Sequence, residues 1–151
     1  MMRDANAFVD TNVLLRAILT QMDDHAPSDT LVKRLWREGV TLWISGQVIR
    51  EFIVQATHPK TLKIPLSMAD VIATVDAITP LFQVADETPA VRAELLRLLR
   101  EFPTGGKQVH DANLVATMLV YGIDTLLTIN VDDLKRFGGI VTIVSPMDNP
   151  S

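Results

Sequence analysis

Short apolar runs alternate along the chain with stretches whose apolar residues recur every three or four positions, a pattern of strands alternating with helices. Ala7-Phe8-Val9 carries a β-branched residue and suits a buried strand. Asp10-Thr11-Asn12 breaks the run with residues that favour turns and helix caps, and Val13, Leu14, Leu15, Ala17, Ile18 and Leu19 then predict a largely buried helix. After the polar break at 23–29, Ser28 or Asp29 is placed to cap a helix carrying Leu31, Val32, Leu35 and Trp36, and Gly39 to end it. Thr41 to Ser45 reads as the second strand. Gly46-Gln47 opens a helix that carries Glu51 among Ile49, Phe52 and Ile53.

A loop from Lys60 to Pro65 follows. Ser67 then begins a helix that ends near Pro80, with Asp70 completing a spacing like that of a capping box. Leu81 to Ala85 is the third predicted strand, and Thr88-Pro89 starts the next helix. Beyond a loop containing Gly105-Gly106, His110-Asp111 opens a helix closed by Gly122. Thr125 to Ile129, a short helix from Leu134 to Phe137, and Ile140 to Val144 complete the order. Such alternation predicts an α/β fold with a parallel sheet covered on both faces. With no internal repeat and no long linker, residues 1–151 are expected to form one domain.

Composition narrows the class. Hydrophobic residues make up 48% and charged residues 21% of the 151 positions, an ordinary globular balance. No apolar run reaches the ~20 residues a membrane helix needs, and no secretion signal is evident, so a cytoplasmic protein without membrane contact is expected. The absence of cysteine excludes disulfides and thiolate metal sites. A net charge of −4 argues against nucleic-acid binding through a broad basic surface. It leaves room for a metal-dependent nuclease, whose clustered acids themselves lower the charge.

The acids supply the chemistry. Asp10 follows the first predicted strand, Glu51 lies early in the helix after the second, Asp111 opens the helix feeding the fourth, and Asp133 lies just past the fourth. Residues at the carboxyl ends of parallel strands gather at one sheet edge, where open α/β sheets place their ligands. Carboxylates gathered there repel one another unless cations neutralise them, and all-oxygen donors favour magnesium or manganese. Each acid also has a plainer use. Asp10 suits a helix cap, Asp111 the positive end of a helix dipole, and Asp132 and Asp133 a cap with its neighbour.

Together these segments resemble the PIN-domain nucleases, most closely the VapC-type toxins of bacterial toxin–antitoxin pairs. The matching blocks are Phe8-Val9-Asp10-Thr11-Asn12-Val13-Leu14-Leu15, Val48-Ile49-Arg50-Glu51-Phe52, His110-Asp111-Ala112 and Leu127 to Phe137, in family order. The resemblance implies a PIN-like three-layer α/β/α fold with a mostly parallel central sheet of about five strands. It also implies an endoribonuclease dependent on Mg2+ or Mn2+, with Asp10, Glu51 and Asp111 as the first three family acids. Asp133 is taken as the fourth, with Asn130 as a polar contributor, although Asp132 also stands in that block. Thr11 and Asn12 are expected to orient Asp10 or bind substrate phosphate. Implied partners are an RNA substrate, a VapB-type antitoxin that blocks the site, and a second copy in a homodimer or a larger toxin–antitoxin assembly.

Other residues count for less. His25 and His58 lack partners at ligand spacing, His110 is expected at the rim, and Gly105-Gly106-Lys107 lacks the pattern of a phosphate-binding loop. Trp36 and Trp43 fall within apolar patterns and are expected in the core. Lys135 and Arg136, close to the expected site, suit phosphate contacts, and Leu31 and Leu35 are expected to offer apolar docking surface. A haloacid-dehalogenase-like phosphatase would need an acid where Asn12 stands, and a receiver domain places its acid after a different strand. A DNA or RNA-processing nuclease of the same fold, or a non-catalytic PIN domain that binds proteins, are the remaining alternatives.

Overall fold

The computed structural model describes residues 5–148. Strands β1 (Asn6–Val9), β2 (Thr41–Ser45), β3 (Gln83–Ala85), β4 (Thr125–Leu127) and β5 (Thr142–Val144) form one sheet in the order β3-β2-β1-β4-β5. Every pairing is parallel, with Phe8 of β1 opposite Trp43 of β2 and Leu126 of β4. Ala7, Phe8 and Val9 are all buried rather than alternating in and out, because the central strand of a parallel sheet is covered on both faces.

The helices are α1 (Thr11–Ile18), α2 (His25–Arg37), α3 (Gly46–Ala56), α4 (Met68–Ile78), α5 (Pro89–Glu101), α6 (Gln108–Tyr121) and the single turn α7 (Val131–Leu134). With this strand order, the right-handed crossovers general to parallel sheets put α1 to α4 on one face and α5 to α7 on the other. The packing agrees: α1 meets α2 and α3, α3 meets α4, α5 meets α6, and α6 meets α7. This is the expected α/β/α arrangement. Phe8, Phe52, Phe137, Leu14, Leu126 and Met118 are among the largest side chains sealed in its core. No helix among the described residues is long and apolar enough to cross a membrane.

Several boundaries differ from those expected from sequence. Helix α2 begins at His25, three residues before Ser28, because Asp24 adopts a left-handed conformation and turns the chain early. Pro27 then falls in the first helical turn, where its missing N–H is tolerated. Ser28 is therefore not a cap but a buried helical residue, and Asp29 pairs with Lys33 at 3.0 Å. Residues Thr79–Leu81 form a 3-10 turn, which leaves β3 only three residues long. Helix α6 starts at Gln108, two residues before His110, and α7 starts at Val131, which puts Asp132 and Asp133 inside its first turn. Strand β4 ends at Leu127, and β5 begins at Thr142.

Trp36 and Trp43 pack partly buried against the core, as expected, near Phe82 and Tyr121 respectively. Leu31 is buried and Leu35 packs against the same core, so the expected docking surface on α2 is turned inwards. The reason is that this face of α2 covers α1.

Candidate active site

The strand order reverses between β1 and β4, since β1 leads to β2 on one side and β4 leads to β5 on the other. Connections diverging from such a point leave a crevice at the carboxyl ends of the strands. Asp10 follows β1 and Thr128 follows β4, and the two meet there. Asp10 is only 8% exposed. Its Oδ1 accepts from the Thr11 N–H at 2.7 Å, so it caps α1 as one plain reading of the sequence expects. Its Oδ2 accepts from the Thr128 hydroxyl at 2.8 Å and from the Asn12 amide at 3.3 Å. Asn12 Oδ1 accepts from the Ile129 N–H at 3.0 Å, tying α1 to the segment after β4.

Glu51 reaches the same place from α3. Its Oε1 accepts from the Thr11 hydroxyl at 2.8 Å, and its Oε2 from the Gln47 amide at 3.4 Å. Buried Gln47 also donates to the His110 carbonyl at 3.1 Å and accepts from the Asn113 amide at 2.8 Å. It thus braces α3 against the turn that carries Asp111. Replacing Gln47 with Ala strips the Glu51 and His110 oxygens of a donor and leaves a void. The expected loss is about 1–3 kcal/mol of stability, read from the urea midpoint.

Asp10, Thr11, Asn12, Glu51, Asp111 and Asn130 line one cavity of about 430 Å³. Three of the four expected acids are therefore brought together from three separate elements. Asp133 does not line the cavity; it is exposed on α7, and only its charge reaches Asp111. Lys135 is exposed and lies 4.0 Å from Asp132, while half-buried Arg136 sits 6.0 Å from the centre of the Phe137 ring. His110 is exposed and contributes its carbonyl. The Nδ1 atoms of His25 and His58 face the Arg16 carbonyl and the Lys60 N–H, at 2.6 and 3.0 Å.

Burial pushes the Asp10 carboxyl up from 3.8 to about 6. The Thr128 hydroxyl and Thr11 N–H oppose the rise, and the charges of Glu51 and Asp111 add to it. Asp111 is also raised, first by burial and then by Asp133, with Arg136 pulling the other way. The site is thus short of positive charge. An all-oxygen set of carboxylates in a crevice suits a hard divalent cation, which would relieve this repulsion. Among the described residues no three acids or histidines are grouped closely enough to hold an ion as they stand.

Thr128 and Arg50 stand in the blocks that resemble the family and Gln47 at a predicted helix start, but these three, like Asn113 and Arg16, carry no expected role in the site from sequence. Gln47 and Arg16 carry a helical signal, since each lies one turn from a site residue, Glu51 and Asn12 respectively. Thr128 carries no such signal, because its partner lies 118 residues away.

A family model described as PIN domain matches residues 7–140. No curated protein matches the sequence. The fold is similar to a chain in the structure of VapBC2 from Rickettsia felis bound to a promoter DNA fragment. The TM-score is 0.67 and the identity 16%, over 93% of this chain and 98% of that one. It is similar to VapC20 of Mycobacterium tuberculosis, described as a sarcin–ricin loop cleaving toxin. There the TM-score is 0.64 and the identity 18%, over 89% of this chain and 96% of that one. DNA-bound VapBC from Salmonella typhimurium gives a TM-score of 0.67 and 18% identity, over 94% and 98%. With the family model spanning most of its length, and the fold and crevice as described, the chain belongs to the PIN domain family.

Proposed function

We propose that this chain is a metal-dependent endoribonuclease, the toxin of a toxin–antitoxin pair that inhibits translation, with residues 1–151 acting as one domain. The observation that carries the reading is the meeting of Asp10, Glu51 and Asp111 in one crevice at the switch point of the sheet. Membership of the PIN family and the likeness to a toxin that cleaves the sarcin–ricin loop support it.

In this reading Asp10, Glu51 and Asp111 hold Mg2+ or Mn2+, and Asp133 completes the acidic set after a movement of α7. When bound, such an ion lowers the pKa of a water and neutralises charge developing on the phosphodiester. Thr11, Asn12 and Thr128 hold the Asp10 carboxylate in place through the hydrogen bonds that they donate. Asn130, Lys135 and Arg136 contact substrate phosphates at the edge of the site. Neighbours of this fold from VapBC complexes support a VapB-type antitoxin as partner, and a second copy of the chain completes the reading as a homodimer or a larger toxin–antitoxin assembly.

The exposed position of Asp133 outside the cavity lining favours a second reading, a PIN domain that binds proteins without catalysis. The two separate in an assay of purified protein with RNA in Mg2+, Mn2+ or chelator. The nuclease should cut only with metal, and calorimetry should register the ion. RNA left intact under all conditions, with no heat of ion binding, would sink the nuclease reading.

A further inference from the structure

We propose that Arg16, Arg50 and the apolar side chains of Leu15, Met22 and Val54 form a nucleotide subsite beside the carboxylates. The two arginines engage the phosphate of the RNA residue next to the scissile bond, and the apolar group receives its base. This rests on the ribonuclease reading and deepens it.

All five residues line the same cavity as Asp10, Glu51 and Asp111. Although three carboxylates share that lining, neither arginine forms an ion pair among the described residues. Arg16 is held ready: its Nη1 donates to the Asn12 carbonyl at 2.9 Å, one turn back along α1. Its Nε is buried with no partner. That buried Nε is closed to a ligand, so any anion meets the remaining guanidinium edge of Arg16, which lines the cavity, and a phosphate oxygen is an acceptor that a guanidinium matches well. Arg50 directly precedes Glu51 on α3, and Val54, one turn further on, is 58% exposed in spite of being apolar.

Charge decides between ligand classes. Two guanidiniums without a carboxylate partner, beside an apolar wall, suit an anion attached to a flat apolar group, which describes a nucleotide. The net charge of −4 removes a broad basic surface as the source of RNA affinity, so a few local cations must supply it. A subsite of this kind also gives sequence preference at one position, which acids alone do not.

The test measures anisotropy of a fluorescein-labelled random-sequence RNA 12-mer, with Ca2+ in place of Mg2+ and over a range of salt. Cleavage in Mg2+ is followed in parallel. Arg16→Gln and Arg50→Gln should each weaken binding about tenfold and make the salt slope shallower by about 0.7. Val54→Ala and Met22→Ala should leave the slope alone and change base preference beside the cut, seen in mapped 5′ ends. Arg50 is exposed, so its variant carries the test if the Arg16 variant does not fold.

Unchanged affinity and slope in a folded arginine variant, beside a wild type that binds and cuts RNA, would overturn the subsite alone. Variants that keep RNA affinity but lose affinity for an antitoxin peptide would assign the cavity to protein and overturn it too. A wild type that neither binds nor cuts RNA overturns the ribonuclease reading and the subsite together.

Discussion

Asp10→Asn protein should cleave RNA on the order of 10²–10³-fold more slowly than wild type, yet melt at a higher temperature at neutral pH in chelator. The first effect follows from its place: Asp10 is the most buried acid of the cavity and joins the ends of β1 and β4. Asparagine keeps an oxygen for the Thr11 N–H but has no charge with which to hold a cation.

The second effect follows from linkage. Folding raises the Asp10 pKa from 3.8 to about 6. Between those values the native state binds more protons than the unfolded state, so unfolding free energy falls as pH rises. Above pH 6 the whole penalty is present, ~3 kcal/mol from the size of the shift. Below pH 3.8 both states are protonated and the penalty is gone. The gain from asparagine should therefore be largest near pH 7.5 and vanish near pH 4, in melting curves taken across that range. Mg2+ should stabilise the wild type and do little for the variant, because only a native state that binds the ion gains from it. An Asp10→Asn protein that cuts RNA at the wild-type rate would remove Asp10 from the machinery. One that is no more stable at neutral pH would mean that the native state already compensates the charge.

Phe52→Ala should lower stability by about 3–5 kcal/mol, the usual cost of emptying a sealed aromatic site. Phe52 is 1% exposed and adjoins Glu51, but points into the core instead of the cavity. The urea midpoint should fall sharply with little change in its slope, and Phe52→Leu, which leaves a smaller void, should lose less. Cation affinity under folding conditions should stay near that of the wild type, since the Thr11 and Gln47 contacts to Glu51 come from other side chains. A loss under about 1 kcal/mol would show that α3 is not packed on the sheet as described.

The order of elements was legible in the sequence because each carries a local signature. Apolar Ala7 to Val9 and Leu42 to Ile44 mark strands, Ser67 and Thr88 mark helix starts, and the structure shows both as side-chain caps, with Ser45, read as the end of a strand, as a third. Boundaries failed where a local signal had two outcomes. Pro27 ends a helix or sits in its first turn, and only the left-handed turn at Asp24 decided which. The acids were legible as a set, because parallel strands bring their carboxyl ends to one edge whatever the sequence between them. Asp133 shows the limit of that rule, since it is exposed in the single turn of α7 while Asn130, just before that turn, is the residue of this segment that lines the cavity.

The sequence by itself thus determined the alternation of strands and helices, the parallel sheet they require, and the edge at which Asp10, Glu51 and Asp111 had to emerge. These depend on periodicity and capping, which act over a few residues. Only the tertiary structure decided what holds those acids. The Thr128 bond to Asp10, the Gln47 brace between α3 and α6, and the convergence of Arg16 and Arg50 on one cavity all bring together residues far apart in the chain. Such contacts depend on how packed helices set one side chain against another, to within the length of a hydrogen bond, and no short-range pattern encodes that distance.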